Sequence, residues 1–214
     1  MPPGRGWAKP ADRGLEPPPG RILDAKFFAR DTREVARDLL DKLLVREVDG
    51  RRLWGRLVEV EAYLGPEDLA AHSKGGRRTA RTEVMFGPTG HAYVYFIYGF
   101  HYMLNIVTEG KDFPAAVLIR AVEPLRGIAL MKKRRGTDEP RSLASGPGKL
   151  CEAFAIDRTL NGSDICGKVL YLQDAGEPAP KIITTPRIGV DYAAEWKNKP
   201  FRFLIGGNTF VSKP

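Results

Sequence analysis

Side chains that bind metal ions or form disulfides are scarce in this chain. Its 214 residues include two cysteines, Cys151 and Cys166, and three histidines, His72, His91 and His101. The cysteine spacing fits neither a CxxC redox motif nor a zinc knuckle. We therefore expect reduced thiols, no metal site and no disulfide framework.

Long apolar stretches are also absent. No run approaches the roughly 20 residues that a membrane-spanning helix needs, so no membrane association is expected. Residues 1–20 are rich in proline, glycine and charge and lack the apolar centre of a secretory signal, which predicts a disordered basic tail. The expected location is the cytoplasm, at the bacterial nucleoid.

The composition is otherwise that of a globular domain with a basic excess. Hydrophobic residues make up 43% and charged residues 28%, and the net charge is +8. A positive excess favours a polyanionic partner, because neutralising phosphates releases condensed counterions. We find no internal repeat and no linker after the tail, which predicts one domain over residues 21–214. No strand-to-helix turn carries a G-x-G-x-x-G or Walker pattern, so no nucleotide cofactor is expected.

Short strands and irregularly spaced helices alternate along the domain. An apolar stripe capped by Asp31 or Thr32 predicts a first helix that runs through Leu43. Strands are predicted at 43–48, 52–64, 92–98, 102–108, 115–122, 169–173 and 201–205, with a hairpin turn at Asp49-Gly50. Further helices are predicted at 82–86, 125–135 and 146–154. This order predicts an α+β fold: a single domain with a curved antiparallel β-sheet flanked by helices.

The segment 57–64 alternates between apolar and polar residues, as a strand with one buried face does. The core face would carry Val58, Val60, Ala62 and Leu64. The other face would carry Leu57, Glu59, Glu61 and Tyr63. On this pattern alone, solvated carboxylates on an outer face are the ordinary expectation. A catalytic interpretation depends on the residues around them.

Tyrosines are concentrated in one segment. Four of the seven fall between Tyr93 and Tyr102, although a buried tyrosine needs a partner for its hydroxyl. Aromatic faces can sandwich an extruded nucleobase, and Tyr98, beside Gly99, could enter the gap that such a base leaves. Together with Glu61, the cluster predicts a pocket for a flipped base.

Two loops combine basic residues with glycine. The first contains Arg77, Arg78 and Arg81, and is suited to backbone phosphates, although an ordinary solvated loop would look the same. The second, residues 145–149, ends in Lys149 and presents backbone N–H groups at a predicted helix start, a favourable place for an anion.

Eight blocks of sequence resemble one known family. They are EVEAYLGPED (59–68), AHS (71–73), MFGP (85–88), AYVY through YG (92–99), LNIV (104–107), LIRAVEP (118–124), SGPGKLC (145–151) and PRIG (186–189). In this order they resemble the alkyladenine (3-methyladenine) DNA glycosylases of the mammalian type, which also occur in bacteria. The resemblance spans residues 23–212.

The resemblance implies a monofunctional glycosylase of base excision repair. Such an enzyme flips alkylated or deaminated purines out of duplex DNA and hydrolyses the N-glycosidic bond, which leaves an abasic site. Double-stranded DNA with damaged purines would be its partner. No cofactor and no obligatory protein partner are implied, and the protein would act as a monomer.

The same resemblance assigns roles to individual residues. Glu61 aligns with the general base that activates the attacking water, and Arg120 with a residue that helps to hold this water. Tyr98 aligns with the residue that intercalates into the duplex. Tyr63, His72 and Tyr95 align with the walls of the base pocket, and Tyr93 would also bind the substrate. The backbone near Ala70 and His72 would contact the purine edge, and Asn105 would crowd or contact the purine's 2-position. Whether His72 acts as an acid or only by stacking and hydrogen bonding stays open.

The sequence departs from the family in three places. Thr82 stands where an asparagine is common, residues 100–103 differ beside Tyr98, and the loop 109–113 differs in length from some members. These differences leave the chemistry intact and bear on the preferred lesion and on the DNA-binding edge.

Two other classes of function also fit the pattern. A non-catalytic module that binds damaged DNA or RNA could use the same aromatic and basic residues. A small-molecule glycosidase could use Glu59 and Glu61 as a dyad, but two carboxylates on one strand face have no obvious way to flank a sugar.

Overall fold

The computed structural model describes residues 16–176 and 180–213. Its strands are β1 (Arg21–Ile22), β2 (Leu43–Val48), β3 (Arg51–Tyr63), β4 (Ala92–Ile97), β5 (His101–Thr108), β6 (Ala115–Arg126), β7 (Leu170–Asp174), β8 (Ile182–Thr185) and β9 (Arg202–Ile205). Its α-helices are α1 (Ala25–Phe28), α2 (Thr32–Leu39), α3 (Ile128–Arg135) and α4 (Pro147–Ala153). Short 3₁₀ segments lie at Lys74–Gly76, Glu83–Phe86, Pro140–Ser142, Arg158–Leu160 and Ala194–Asn198.

The strands described here form one antiparallel sheet around the long pair β3 and β6. Its order is β1-β7-β2-β3-β6-β5-β4, and β9, which also pairs with β8, adds to the later part of β3. Thus β3 pairs with β2 along its first half and with β9 from Glu59 to Glu61. The predicted α+β class, an antiparallel sheet flanked by helices, is confirmed.

One face of the sheet packs on the helices and forms the main hydrophobic core. Val60, Ala62 and Leu64 of the predicted core face belong to it or pack against it. Leu57 and Val58 both lie in this core, so the predicted position of Leu57 on the glutamate face is wrong. The pairing of β3 with β6 shifts register between Leu57 and Glu59, and such an irregularity interrupts the two-residue alternation.

Helix α2 is shorter than predicted. The side chain of Asp31 accepts hydrogen bonds from the backbone N–H groups of Arg33 and Glu34, at 2.9 and 3.3 Å, and so caps its first turn. The helix ends at Leu39 instead of running through Leu43, because Asp41 turns the chain with φ of +73°. Apolar spacing alone did not reveal this turn.

Strand β6 is longer than predicted. It continues through Glu123 and Pro124 to Arg126, and Pro124 lies opposite Gly55 on β3. The two backbones approach closely there: a Cβ on Gly55 would lie 2.5 Å from the carbonyl oxygen of Glu123. Helix α3 consequently begins at Ile128, and not at the predicted residue 125.

Most of the predicted tail, residues 1–15, lies outside the described residues. Residues 16–20 contact the sheet: the Nε2 amide of Gln173 donates to the carbonyl oxygen of Pro18 at 2.5 Å, and Arg52 forms an ion pair with Glu16. Across residues 16–176 and 180–213, no helix has the length and apolar character needed to cross a membrane.

Candidate active site

Three of the predicted site residues lie in one row across the sheet. Glu61 on β3 lies opposite Leu118 on β6, Leu118 opposite Asn105 on β5, and Asn105 opposite Tyr93 on β4. Residues directly opposite in antiparallel strands share a face. Four strands therefore converge on one surface although their residues are far apart in the chain.

A cleft of about 160 Å³ opens on this surface. Its lining includes eight residues predicted from the sequence: Tyr63, Ala70, His72, Tyr93, Tyr95, Tyr98, Asn105 and Arg120. It also includes residues with no predicted role: Met85, Ile97, Met103, Ala116, Leu118, Pro147, Ile188, Gly189, Val190 and Tyr192. The cleft is thus largely aromatic and aliphatic, with a few polar groups.

Glu61 lies directly behind the cleft wall and has no exposed surface. Its Oε1 accepts a hydrogen bond from the backbone N–H of Ile188 at 2.7 Å, and its Oε2 accepts one from the hydroxyl of Tyr63 at 3.0 Å. The Nη1 of Arg120 lies 3.3 Å from Oε2. These three partners all line the cleft, so the carboxylate lies directly behind the cleft lining.

Two opposing effects act on the charge of Glu61. Burial disfavours the ionised form and raises the pKa of this carboxyl group, and the neighbouring charge of Glu59 raises it further. Arg120, the N–H of Ile188 and the Tyr63 hydroxyl lower it, and the net pKa lies above the ordinary value of a glutamate. A carboxyl group shifted in this direction is suited to accept a proton.

The two glutamates of β3 are buried, which contradicts the outer-face expectation for this strand. Glu59 also has no exposed surface, and its Oε1 accepts from the Nε of Arg120 at 2.9 Å. Chain segments distant in sequence cover both carboxylates: residues around Ile188 cover Glu61, and Ser212 covers Glu59.

One wall of the cleft is formed by His72, Tyr93 and Tyr95. The Nδ1 of His72 lies 2.9 Å from the Tyr93 hydroxyl, and its ring meets that of Tyr95 edge-on with centroids 4.6 Å apart. Burial and the nearby positive charge of Arg81 lower the pKa of His72 to about 4. His72 is therefore neutral at pH 7.

The rim of the cleft is the hairpin between β4 and β5. Tyr98 adopts φ of +56° and is 73% exposed, and Gly99 follows with φ of +77°. The hairpin rests on α4, where a Cβ on Gly148 would lie 2.8 Å from the ring of His101. Close packing of a glycine against His101 thus supports an exposed aromatic tip.

The four residues predicted to contact DNA phosphates lie in different environments. Arg77 is exposed, whereas Arg78 forms ion pairs with Glu83 at 2.6 Å and Asp112 at 3.3 Å. The guanidinium of Arg81 lies 4.9 Å from the centroid of Tyr95, next to the cleft wall. Lys149 is half-buried in the first turn of α4.

A second buried ion pair, Asp68 with Arg187, was not anticipated from the sequence. Both side chains are fully buried, and the Nη2 of Arg187 lies 2.8 Å from Oδ1 of Asp68. The same guanidinium lies 4.7 Å from the centroid of the Tyr63 ring. Both residues fall inside the family-like blocks, but a separation of 119 residues hides their contact.

No group of three or more histidine, cysteine, aspartate or glutamate side chains that could hold a metal ion occurs among residues 16–176 and 180–213. The site consists of a buried carboxylate behind an aromatic cleft, a neutral histidine in its wall and an exposed tyrosine at its rim.

The sequence of the chain is similar to those of a known protein family. A family model described as methylpurine-DNA glycosylase (MPG) matches residues 26–209, and the chain belongs to this family. A relative from Methanocella arvoryzae is 50% identical over 194 residues, 90% of this chain and 96% of the relative. One from Desulfitobacterium hafniense is 46% identical over 198 residues, 89% of this chain and 98% of the relative. Both carry the name "Putative 3-methyladenine DNA glycosylase".

Proposed function

We propose that this protein is a monofunctional DNA glycosylase that flips alkylated or deaminated purines out of duplex DNA and hydrolyses their N-glycosidic bond. The observation that carries this proposal is Glu61, a fully buried carboxylate behind an aromatic cleft, held by Tyr63, Ile188 and Arg120. The names of the relatives support the same reaction class.

In the proposed reaction, Glu61 acts as the general base. It accepts a proton from a water molecule whose oxygen attacks C1′ of the sugar, while the bond from C1′ to the purine nitrogen breaks and leaves its electron pair on the base. The sugar has oxocarbenium character in the transition state, and a nearby carboxylate stabilises this charge. Arg120, at 3.3 Å from Glu61, would help to orient the water.

Alkylated purines suit this site because their positive charge makes them good leaving groups. The departing electron pair neutralises the base, so no proton donor is needed. The rings of Tyr63, Tyr95 and His72 line the cleft, and cationic bases interact favourably with aromatic rings. A neutral lesion such as hypoxanthine needs a proton donor, and His72, neutral at pH 7, does not supply one as an imidazolium.

The remaining roles concern DNA. Tyr98, exposed at the hairpin tip, would occupy the gap left by the flipped base. Asn105, buried with its Nδ2 donating to the carbonyl oxygen of Tyr93 at 3.1 Å, would contact the purine edge together with the backbone near Ala70. We further propose that the protein acts as a monomer on nucleoid DNA, with no cofactor.

The direct test measures release of free base from an alkylated duplex by the purified protein and by Glu61→Gln. We expect release by the native chain, and loss of release with retained lesion binding in Glu61→Gln. Glu34→Gln, which alters an exposed glutamate on α2, is the matched control and should release base normally. Normal release by Glu61→Gln would overturn the assignment of the general base.

The same assay separates the alternatives. A non-catalytic module would bind the duplex without releasing base, and a small-molecule hydrolase would act on free nucleosides in place of duplex DNA. Because water is the proposed nucleophile, borohydride should trap no covalent protein–DNA adduct. A trapped adduct would indicate an amine nucleophile and would contradict the proposal.

A further inference from the structure

The second glutamate of β3, Glu59, has a more complete set of partners than Glu61. Its Oε1 accepts from the Nε of Arg120 at 2.9 Å and from the hydroxyl of Ser212 at 2.8 Å. Its Oε2 accepts from the backbone N–H of Ser212 at 2.5 Å. The Nε of Arg202 lies 3.6 Å from Oε1. Glu59 is further from the cleft than Glu61: of its partners only Arg120 lines the cleft, whereas all three partners of Glu61 do.

Arg120 connects this cluster to the proposed catalytic carboxylate. One edge of its guanidinium faces Glu59 and Ser212, with Nη2 lying 3.4 Å from the Ser212 hydroxyl, and Nη1 faces Glu61. The guanidinium is a rigid planar fork. Contacts that fix Nε and Nη2 therefore also fix the direction of Nη1.

We propose that Glu59 and Ser212 are positioning residues that hold the Arg120 guanidinium in the orientation in which it serves Glu61. This inference rests on the proposed function, because it assigns the two residues to the same reaction. Glu59 would then act through Arg120 and would not contact the substrate.

The segment that carries Ser212 is itself fixed to the sheet. The Nη2 of Arg202 on β9 donates to the carbonyl oxygen of Lys213 at 2.7 Å, and the Nδ2 of Asn208 donates to Oε2 of Glu123 on β6 at 3.0 Å. Ser212 is thus anchored on both sides, as a residue must be if its hydroxyl is to restrain a partner.

Glu59 also affects the charge of Glu61. Its negative charge raises the pKa of Glu61. Glu59 also interacts with Arg120, so the two carboxylates share one guanidinium. The other groups that act electrostatically with Glu61 are Arg120 on β6, Tyr63 on β3, Tyr95 on β4, and Arg187 and Tyr192 in the segment after β8. Removal of the Glu59 charge leaves these groups in place.

The test compares the pH dependence of single-turnover base release in native protein, Glu59→Gln, Ser212→Ala and Ser212→Thr. Glu59→Gln should move the acid limb to lower pH and reduce the plateau rate about tenfold, which is the effect of losing one charge-assisted contact. Ser212→Ala should reduce the plateau rate, and Ser212→Thr, which keeps the hydroxyl and the N–H, should restore it.

Phe203→Leu is the matched control for loss of stability. Phe203 lies on β9 opposite Val60 and is buried in the main core, on the other face of the sheet from Glu59, and its truncation should lower the Tm without moving the acid limb. If Glu59→Gln lowers the Tm but leaves the acid limb and plateau rate unchanged, Glu59 is merely structural and the inference is overturned. If Glu59→Gln does not fold, an unchanged plateau rate in Ser212→Ala overturns it equally.

Glu61→Gln in the same assay distinguishes failure of the proposed function from failure of the positioning role of Glu59 and Ser212. Normal release by Glu61→Gln removes the proposed function and this inference together. Loss of release in Glu61→Gln, with normal rates in Glu59→Gln and Ser212→Ala, removes only the inference.

Discussion

Two buried carboxylates flank Tyr63, and each faces an arginine in a different way. Asp68 meets Arg187 through both of its oxygens, and it also accepts from the backbone N–H groups of Leu64 and Ala70 at 3.0 and 2.9 Å. Glu61 has one longer contact with Arg120, at 3.3 Å, behind a cleft. Asp68 is nearly saturated, whereas Glu61 keeps lone pairs available.

Under the proposed function, the difference separates a carboxylate–arginine pair that stabilises the fold from one that takes part in the reaction. A fully satisfied buried pair fixes the backbone around it, because removing either partner leaves an uncompensated charge. The guanidinium of Arg187 packs on Tyr63, whose hydroxyl donates to Glu61. The fully paired Asp68 and Arg187 therefore support the side chain that contacts Glu61.

The largest expected effect is on base release by Glu61→Gln. General-base catalysis contributes about 10²–10⁴-fold to a rate, and we expect a loss of this order. The Tm should be unchanged or higher, because folding no longer buries a carboxylate whose pKa is raised. Thermal unfolding and single-turnover kinetics check both parts, and a marked fall in Tm would place Glu61 in the structural class with Asp68.

Asp68→Asn should have the opposite profile, with its main effect on stability. It leaves the Arg187 charge buried without its counter-ion, which costs about 3–5 kcal/mol. Urea unfolding measures this loss. Asp38→Asn, which removes an exposed ion pair with Arg30, is the control and should change stability by less than about 1 kcal/mol. A similar, small change in both variants would refute the contrast.

The pH dependence of base release should report the ionisation of Glu61. Because the pKa of Glu61 lies above its ordinary value, base release should decline about tenfold per pH unit below that raised pKa. The raised pKa also affects stability. The free energy of unfolding should decrease as the pH rises from the unfolded-state pKa of Glu61 to its folded-state pKa. His72, with a pKa of about 4, should add no inflection near pH 6.5. An inflection there that disappears in His72→Gln would contradict the neutral histidine.

Tyr98→Ala should affect binding without affecting either buried pair. Tyr98 is 73% exposed, so the Tm should stay unchanged. Affinity for a lesion duplex should fall by about 1–3 kcal/mol, the contribution of one stacked aromatic. Titration with lesion and undamaged duplexes measures the difference, and an equal loss on both would argue against a role as a wedge.

The smallest expected effect concerns the basic loop. Arg77→Ala should reduce the salt dependence of duplex affinity by about one phosphate contact. Arg78→Ala should have a smaller effect, because Arg78 must first leave Glu83 and Asp112. Affinities measured over a range of salt concentrations give the two slopes. A larger loss of slope in Arg78→Ala would show that its ion pairs open on DNA.

Local sequence predicted most of the sheet and the cluster of site residues. Alternation in β3 and the tyrosines of β4 predicted side chains that share a surface. The family-like blocks added His72, Asn105 and Arg120 to the predicted site. The predictions that failed depend on backbone geometry: the turn at Asp41 and the register shift near Leu57 leave no mark on hydrophobic spacing.

By itself, the sequence predicted that Glu59, Glu61 and Tyr63 lie on one face of a strand, because side chains alternate along regular extended backbone. It did not determine whether that face is solvent-exposed or buried. Tertiary structure decided this, by bringing Ile188 over Glu61 and Ser212 over Glu59, contacts that join residues 127 and 153 positions apart. Burial is a property of the whole fold, and burial is what distinguishes a proton acceptor from a solvated surface charge.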